Sequence, residues 1–307
     1  MRGQMVGSKQ IFPGLHLDAE SLCDLLATEK VSMTAGVPTI WFAILEHLDQ
    51  DPAAYDLSAL DLMLVGGAPA PPAMIDAFDT RPGLNVVHAW GMTETSPLGS
   101  VSHIGPRHDE LDAEGRLALR AKQGRMSPFV EIRARGAEGL IPWDDTTTGE
   151  LEVRGPWIAS SYYRSEQGAE SFTDDGWFRT GDIVNIDTDG YIDIKDRAKD
   201  VIKSGGEWIS SLALENALMG HPDITEAAVI GVSHPEWVER PLAIIATGGT
   251  SAPSLEAIRE YLAPHFADWW LPDAIEVVAE TPRTSARKFD QLALREQFAD
   301  YALPVAD

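Results

Sequence analysis

Two short apolar runs that stop on glycine constrain this chain more than anything else in it. They are LDLMLV before GGAPAPP (residues 60–72) and LNVVHAW before Gly91 (residues 84–91). Each is bounded by Gly and Pro and is too short for a typical buried helix, so each reads as a buried strand. Between them PAMIDAF has helical spacing. Upstream, VSMTAGVPTIW reads as strand, turn, and a helix begun at Pro38, a residue favoured in a first turn. HLDAESLCDLLATEKV reads as a helix capped by Asp18, with Leu22, Leu25 and Leu26 on one face. Strand and helix alternate, which predicts a parallel α/β layer. Open layers of that kind bind ligands beyond the carboxyl ends of their strands.

From about residue 128 the pattern changes. FVEIRAR, GELEVRG and GYIDIKD alternate apolar and polar residues between Gly and Asp turns. They predict a small antiparallel sheet or barrel-like subdomain. After DRAKD the chain returns to a mixed pattern. VIKSGGEWISSLALENALMGHP reads as a hairpin and a helix. EAAVIGV, PLAIIAT and AIEVVAE read as strands, and SLEAIREYLAPHF and DQLALREQFADY as helices. The expected fold class is therefore α/β and α+β. Residues 1–197 form part of a large domain, with an α/β layer over 1–120 and a β-rich subdomain over 121–197. Residues 198–307 form a small α+β domain, and the boundary falls near Arg197–Asp200.

Composition narrows the partners. The chain has 307 residues and a formal net charge of -24. That field repels nucleic acid and anionic lipid. It does not repel a phosphate held at short range by backbone N–H groups and a few cations. The single cysteine, Cys23, forms no intrachain disulfide and reads as a small buried thiol. No run reaches the length of a membrane span, and MRGQMVGSKQIFPG lacks the apolar core of a signal peptide. A cytoplasmic protein is expected.

The chemistry-bearing residues gather in five stretches. In VGGAPAPP, Gly66 and Gly67 let a ligand lie on backbone, or simply make a tight strand-to-helix turn. WGMTET offers Trp90 for a base, Thr93 for a phosphate and Glu94 for Mg²⁺; a loop with a capped helix explains the same residues. In WFRTGDIV, Asp182 suits a ribose diol or a turn before a strand. DRAKDVIKSGGEWIS gathers Arg197, Lys199 and Lys203 in a lysine-poor chain, as positive charge collected against a negative background or as a solvated charged turn. PRTSARKFDQLALR places Lys288 where a loop meets a helix, as a surface lysine or as a mobile electrostatic group.

In their order and separations, VGGAPAP, WGMTETSP, FRTGD, DRAKDVIKSGGEWIS and PRTSARKFD resemble the adenylate-forming, AMP-binding superfamily. That superfamily holds acyl-CoA synthetases, peptide-synthetase adenylation domains and luciferases. The opening FPGLHLDAESLCDLLATEKVSMTAGVPTIW and HAWGMTETSP are most similar to medium-chain fatty-acid–CoA ligases. The resemblance implies that an acid reacts with ATP to give acyl-AMP, and that CoA then displaces AMP. It implies that Gly66, Gly67, Ala68, Pro69, Trp90, Gly91, Met92, Thr93, Asp182, Arg197 and Lys288 bind the nucleotide. Thr93, Glu94 and Lys288 would be catalytic, with Glu94 also on Mg²⁺. Lys199 would be the hinge of a mobile small domain. Lys203, Gly205 and Gly206 would serve the CoA step, and Val37, Pro38, His88 and Ala89 would line the acyl pocket.

Two departures accompany the resemblance. The family's Gly-, Ser- and Thr-rich phosphate loop lies upstream of everything in this chain, which therefore reads as the C-terminal part of a longer enzyme. Arg287 stands where the family usually has Gly. The expected function is ATP-dependent synthesis of acyl-CoA from a medium- or long-chain fatty acid. The alternatives are an incomplete remnant that binds AMP or acyl-adenylate, and an adenylation module that acylates a carrier protein.

Overall fold

The structure is a computed structural model that describes residues 6–165, 167–205, 207–247, 251–282 and 290–303. It divides into two units. The first comprises residues 1–93 and 97–125, the second 94–96 and 126–307. The boundary expected at Arg197–Asp200 lies inside the second unit.

The first unit builds the α/β layer. Helix α1 (Ala19–Thr28) starts where Asp18 Oδ1 accepts the Ser21 N–H at 2.9 Å. Strand β1 (Met33–Gly36) leads through Val37 into α2 (Pro38–Gln50), with Pro38 in the first turn. Strand β2 (Leu62–Val65), helix α3 (Pro72–Thr80) and strand β3 (Val86–Trp90) follow. β1, β2 and β3 pair in parallel, Met33 opposite Leu62 and Val65 opposite His88. Trp41, Ile44, Met63, Val65, Ile75, Phe78 and Val86, each at most 2 % exposed, form the core under this sheet. Cys23 belongs to that core, and burial pushes its thiol up to about 11. β1 lies at the outer edge of the described strands, and Met33 on it is 54 % exposed. The short β4 (Ser100–Val101) pairs antiparallel with β3, and α4 (Ala113–Ala121) and β5 (Gly124–Met126) complete the stretch. The apolar residues of α4 are few, and tertiary packing seats it: Leu119 is buried and Leu117 and Ala121 pack on the core, with Asp112 Oδ1 accepting the Gly115 N–H at 2.8 Å as its cap.

The second unit opens with antiparallel strands β6 (Glu131–Gly136), β7 (Gly139–Leu140), β8 (Gly149–Arg154), β9 (Phe178–Ile186) and β10 (Tyr191–Arg197). Within this unit they lie in the order β10-β9-β8-β6-β7, an open antiparallel sheet rather than a closed barrel. The alternative of Asp182 in a turn ahead of a strand gives way as well. β9 runs straight through the Arg-Thr-Gly-Asp stretch, because Gly181 at φ +73° absorbs an irregularity while pairing continues on both sides.

The remainder is α+β. β11 (Ile202–Ser204) and β12 (Glu207–Ile209) make the expected hairpin, followed by α5 (Ser211–Leu218). β13 (Glu226–His234) and β14 (Val238–Ala246) form a long antiparallel pair, and β15 (Ala274–Val277) adds in parallel to β14. α6 (Leu255–Leu262) and α5 cover one face of this sheet, through Leu214, Leu218, Ile258 and Leu262. α7 (Gln291–Gln297) covers the other through Leu294. Among the described residues no helix is long and apolar enough to cross a membrane.

Candidate functional site

In the first unit the candidate residues collect at the carboxyl ends of three parallel strands. Gly36 ends β1, Gly66–Pro69 follow β2, and Gly91–Thr93 follow β3. Their glycines answer to local packing. A Cβ at Gly66 would lie 2.8 Å from the Ala89 carbonyl oxygen of the neighbouring strand. Gly67 sits at φ +82°, where other residues are strained. A Cβ at Gly91 would lie 1.8 Å from the Pro97 carbonyl oxygen. The loop after β3 thus folds back tightly on itself, and Gly99 N–H donates to the Trp90 carbonyl at 2.9 Å.

Two residues in this group have structural work that the sequence does not reveal. Trp90 is 6 % exposed, and its indole lies where a Cβ on Gly99 would be, 2.2 Å from Cζ3. His88 is 1 % exposed. Its Nδ1 donates to the Ala121 carbonyl at 2.9 Å, and its Nε2 accepts the Ala70 N–H at 3.3 Å. A carbonyl only accepts and an amide only donates, so this imidazole is neutral with its proton on Nδ1. It ties the loop after β2 to the end of α4. Ala68, Pro69, Ala89 and Met92 are half-buried and Thr93 is exposed. Val37 is half-buried and Pro38 is buried beside it. The Trp41 ring packs on Gly36.

In the second unit Glu94 and Thr95 belong, with Thr93, to one turn of 3₁₀ helix. The alternative of a loop with a longer capped helix gives way to that single turn. Glu94 is half-buried. Its Oε1 accepts the Tyr162 hydroxyl at 2.6 Å, and its carbonyl accepts the Ala159 N–H at 2.8 Å. Burial, and then the neighbouring carboxylate, push the Tyr162 phenol up to about 12. Its ring packs edge-on to Phe172 and Phe178. Tyr162 is the residue that sequence reasoning missed, since the two partners stand 68 residues apart and SSYYR carries no signal of the contact.

Asp182 and Arg197 meet directly. They are opposite each other on β9 and β10, and Arg197 Nε lies 2.6 Å from Asp182 Oδ1. The carboxylate is 2 % exposed and the guanidinium 43 %, so the acid is fixed while the cation reaches solvent. The Asp182 N–H donates to Thr180 Oγ1 at 3.1 Å. Lys199 is exposed in the turn that follows β10. Lys203 is exposed on β11, and Gly205 follows at φ +61°. Gly206, Arg287 and Lys288 lie outside the described residues. Beside the last two, Asp290 N–H donates to the Pro282 carbonyl at 2.8 Å.

Buried acids crowd the region around the expected hinge. Asp196 Oδ2 accepts the Ser211 N–H at 2.7 Å and the Ser211 hydroxyl at 3.0 Å, which ties β10 to the start of α5. Burial raises its carboxyl to about 6. Glu215 on α5 accepts the Val229 N–H at 2.9 Å and the Gln291 amide at 2.5 Å. Burial first, with the charges of Asp196 and Asp200 adding, pushes it up to about 8.

Comparison with known proteins follows the same outline. Residues 3–163 match the model of the AMP-binding enzyme family, and residues 213–288 match that of the AMP-binding enzyme C-terminal domain. The long-chain-fatty-acid–CoA ligase of Thermus thermophilus is 46 % identical over 97 % of this chain and 55 % of its own length. The medium-chain-fatty-acid–CoA ligase of Ectopseudomonas oleovorans is 41 % identical over 97 % and 54 %. The solved anthranilate CoA ligase AuaEII in complex with anthranoyl-AMP superposes with a TM-score of 0.80 at 26 % identity, over 94 % of this chain and 54 % of the other. The chain therefore spans about half the length of the curated relatives it matches. Two family models in order along one chain, with such identity over nearly all of it, establish that the chain belongs to the AMP-binding enzyme family.

Proposed function

We propose that this chain carries the AMP-binding and thioester-forming machinery of a fatty-acyl-CoA synthetase for a medium- or long-chain acid. The observation that supports this most is its similarity, along almost its whole length, to fatty-acid–CoA ligases. In the first half-reaction the fatty-acid carboxylate attacks the α-phosphorus of ATP, forming the acyl–phosphate bond and releasing pyrophosphate. In the second the CoA thiol attacks the acyl carbon, loses its proton and displaces AMP.

The residues divide the work. Asp182, fixed by burial and by Arg197, accepts hydrogen bonds from the ribose hydroxyls. Arg197 presents the exposed part of its guanidinium beside them. Gly66–Pro69 and the Trp90–Thr93 stretch, at neighbouring strand ends, bound the adenine and the α-phosphate. Backbone that approaches without side chains suits a flat base and an anion. Val37, Pro38 and Ala89 contribute apolar surface for the acyl chain. A methylene there discriminates by about 1–3 kcal/mol, so the chain-length preference is broad. Lys288 supplies positive charge where two anions meet in the adenylation step. Lys199 is the pivot of a small domain, residues 198–307, that presents Lys203 and Gly205 for the thioester step.

The Glu94 carboxylate, one oxygen of which is held by Tyr162, fits a Mg²⁺ ion. Such an ion is usually held by one or two carboxylates together with substrate phosphates. Bound there, it would neutralise phosphate charge. A buried, unpaired Cys23 agrees with residence in a reducing compartment, and we assign the protein to the cytoplasm.

Mass spectrometry of the chain incubated with ATP, Mg²⁺, CoA and short-, medium- and long-chain acids tests this reading. Acyl-CoA with AMP supports it and ranks the acids. AMP or acyl-AMP binding without turnover replaces it with a binding module. Lys288→Ala is expected to lower acyl-AMP formation by two orders of magnitude or more, the scale of one preorganised electrostatic group. It should spare acyl-CoA formation from supplied acyl-AMP. Equal loss of both half-reactions would remove Lys288 from the role given to it.

A further inference from the structure

The segment Lys203–Gly205 is held by side chains that arrive from the β13–β14 hairpin. β11 pairs with β14 only at Ser204 opposite Val238, so the ladder does not reach the Lys203 N–H. That donor is open to water but takes a protein partner instead. The partner is Glu239, whose Oε2 accepts it at 2.8 Å. Gly231, on the paired strand, leaves room for that carboxylate, since a Cβ there would lie 2.9 Å from the same oxygen. One residue on, Ser204 Oγ accepts Arg240 Nη1 at 3.1 Å. Arg240 is 8 % exposed. It is anchored in turn by both Asp273 oxygens at 2.7 Å and by the Trp269 and Leu271 carbonyls. At Gly205 the N–H donates to the Trp237 carbonyl at 2.9 Å, and the indole of Trp237 covers the position a side chain would occupy. The hairpin turn that delivers these groups is set by His234, whose Nδ1 accepts the Glu236 and Trp237 N–H groups.

Three consecutive residues are thus held by Trp237, Glu239 and Arg240 of the β13–β14 hairpin. Ser204 and Gly205 also border a cavity of 1360 Å³ lined by Trp237, Arg240 and Trp269, so the gripped segment faces open space. We propose that Glu239 is a positioning residue for the thioester step. It fixes the backbone at Lys203, and Arg240 fixes the next residue, so that Gly205 keeps one position when CoA arrives. This rests on the reading of Lys203 and Gly205 given above.

The test compares Glu239→Ala with Glu239→Gln, whose amide oxygen still accepts an N–H. Amide hydrogen exchange is followed at Lys203 and Gly205, and turnover of supplied acyl-AMP with CoA is measured alongside. In Glu239→Ala, exchange at Lys203 should rise about tenfold to a hundredfold, the range for a lost bond to a charged acceptor. The kcat for acyl-CoA formation should fall by a similar factor while acyl-AMP affinity stays unchanged. Glu239→Gln should restore both. Protection at Ala228, fully buried on β13, reports that the variant is folded. Unchanged exchange at Lys203 in Glu239→Ala would overturn the proposal. So would a Glu239→Gln variant as impaired as Glu239→Ala, or unchanged turnover despite faster exchange. If the unaltered chain fails to convert acyl-AMP, the functional reading falls, while the exchange measurement still decides whether Glu239 holds the segment.

Discussion

At single residues, the structure separates glycines that serve conformation or packing from those that serve nothing local. Gly91 has no room for a methyl group, because the obstruction is the Pro97 carbonyl and not a side chain that can turn away. Gly91→Ala is expected to cost about 3 kcal/mol by forced overpacking. Gly105→Ala, with nothing within 4 Å of its Cβ, should leave the denaturation midpoint almost unchanged. Chemical denaturation of the two variants side by side checks this. Val238 presents the opposite case, since it holds φ +72° at the start of β14. A β-branched residue is disfavoured there, and Val238→Gly should stabilise the fold by about 1 kcal/mol, read as a raised midpoint. The sequence marks Gly66 and Gly67 as places for close backbone approach, and at Gly66 a main-chain group does come close. It does not tell that the approaching groups are the chain's own carbonyls at Gly66 and Gly91. Likewise, Trp90 and His88 carry ring chemistry that suits a ligand, but their burial against Gly99, Ala70 and Ala121 is set by residues far away in sequence.

Among the elements, strands and helices with strong periodicity were legible, and those set by tertiary contact were not. The β1–α2, β2–α3 and β3 alternation follows from short apolar runs punctuated by Gly and Pro. The β11–β12 hairpin and α5 follow from a glycine pair before a capped apolar helix. Helix α4 was not legible, because its apolar face is narrow and only tertiary packing seats it. β9 was legible only in part: a Gly-Asp pair reads as a turn, while the sheet absorbs Gly181 as an irregularity within one strand. Element-scale electrostatics gives a further test. Glu215 joins α5 to β13 and α7 through Val229 and Gln291, with Asp196 and Asp200 as its acidic neighbours. Its carboxyl is raised from 4.5 to about 8, so the folded state binds this proton more tightly than the unfolded chain does. Its contribution to stability is therefore full below the unfolded value and declines as pH rises through the window from 4.5 to about 8. Glu215→Gln removes the titration and keeps an acceptor for Val229. Thermal midpoints of the variant should fall less steeply than those of the parent between those limits. Parallel curves would contradict the assignment.

For the whole molecule, the family was legible from five stretches in register, and identity over nearly the full chain agrees. The net charge of -24 gives no hint of a phosphate-handling protein. In the proposed reading, glycine-bearing strand ends and an arginine held on a buried aspartate act locally against that field. The second half-reaction needs no triphosphate, so it tests the chain independently of the phosphate loop that adenylation uses. The most direct measurement supplies purified chain with a preformed medium- or long-chain acyl-AMP and CoA, and follows acyl-CoA and AMP by mass spectrometry. The proposed function predicts equimolar acyl-CoA and AMP at a rate well above the uncatalysed thiolysis of acyl-AMP by CoA, lowered about tenfold to a hundredfold in Glu239→Ala. Product at the background rate, from a chain whose folding is verified, would contradict it.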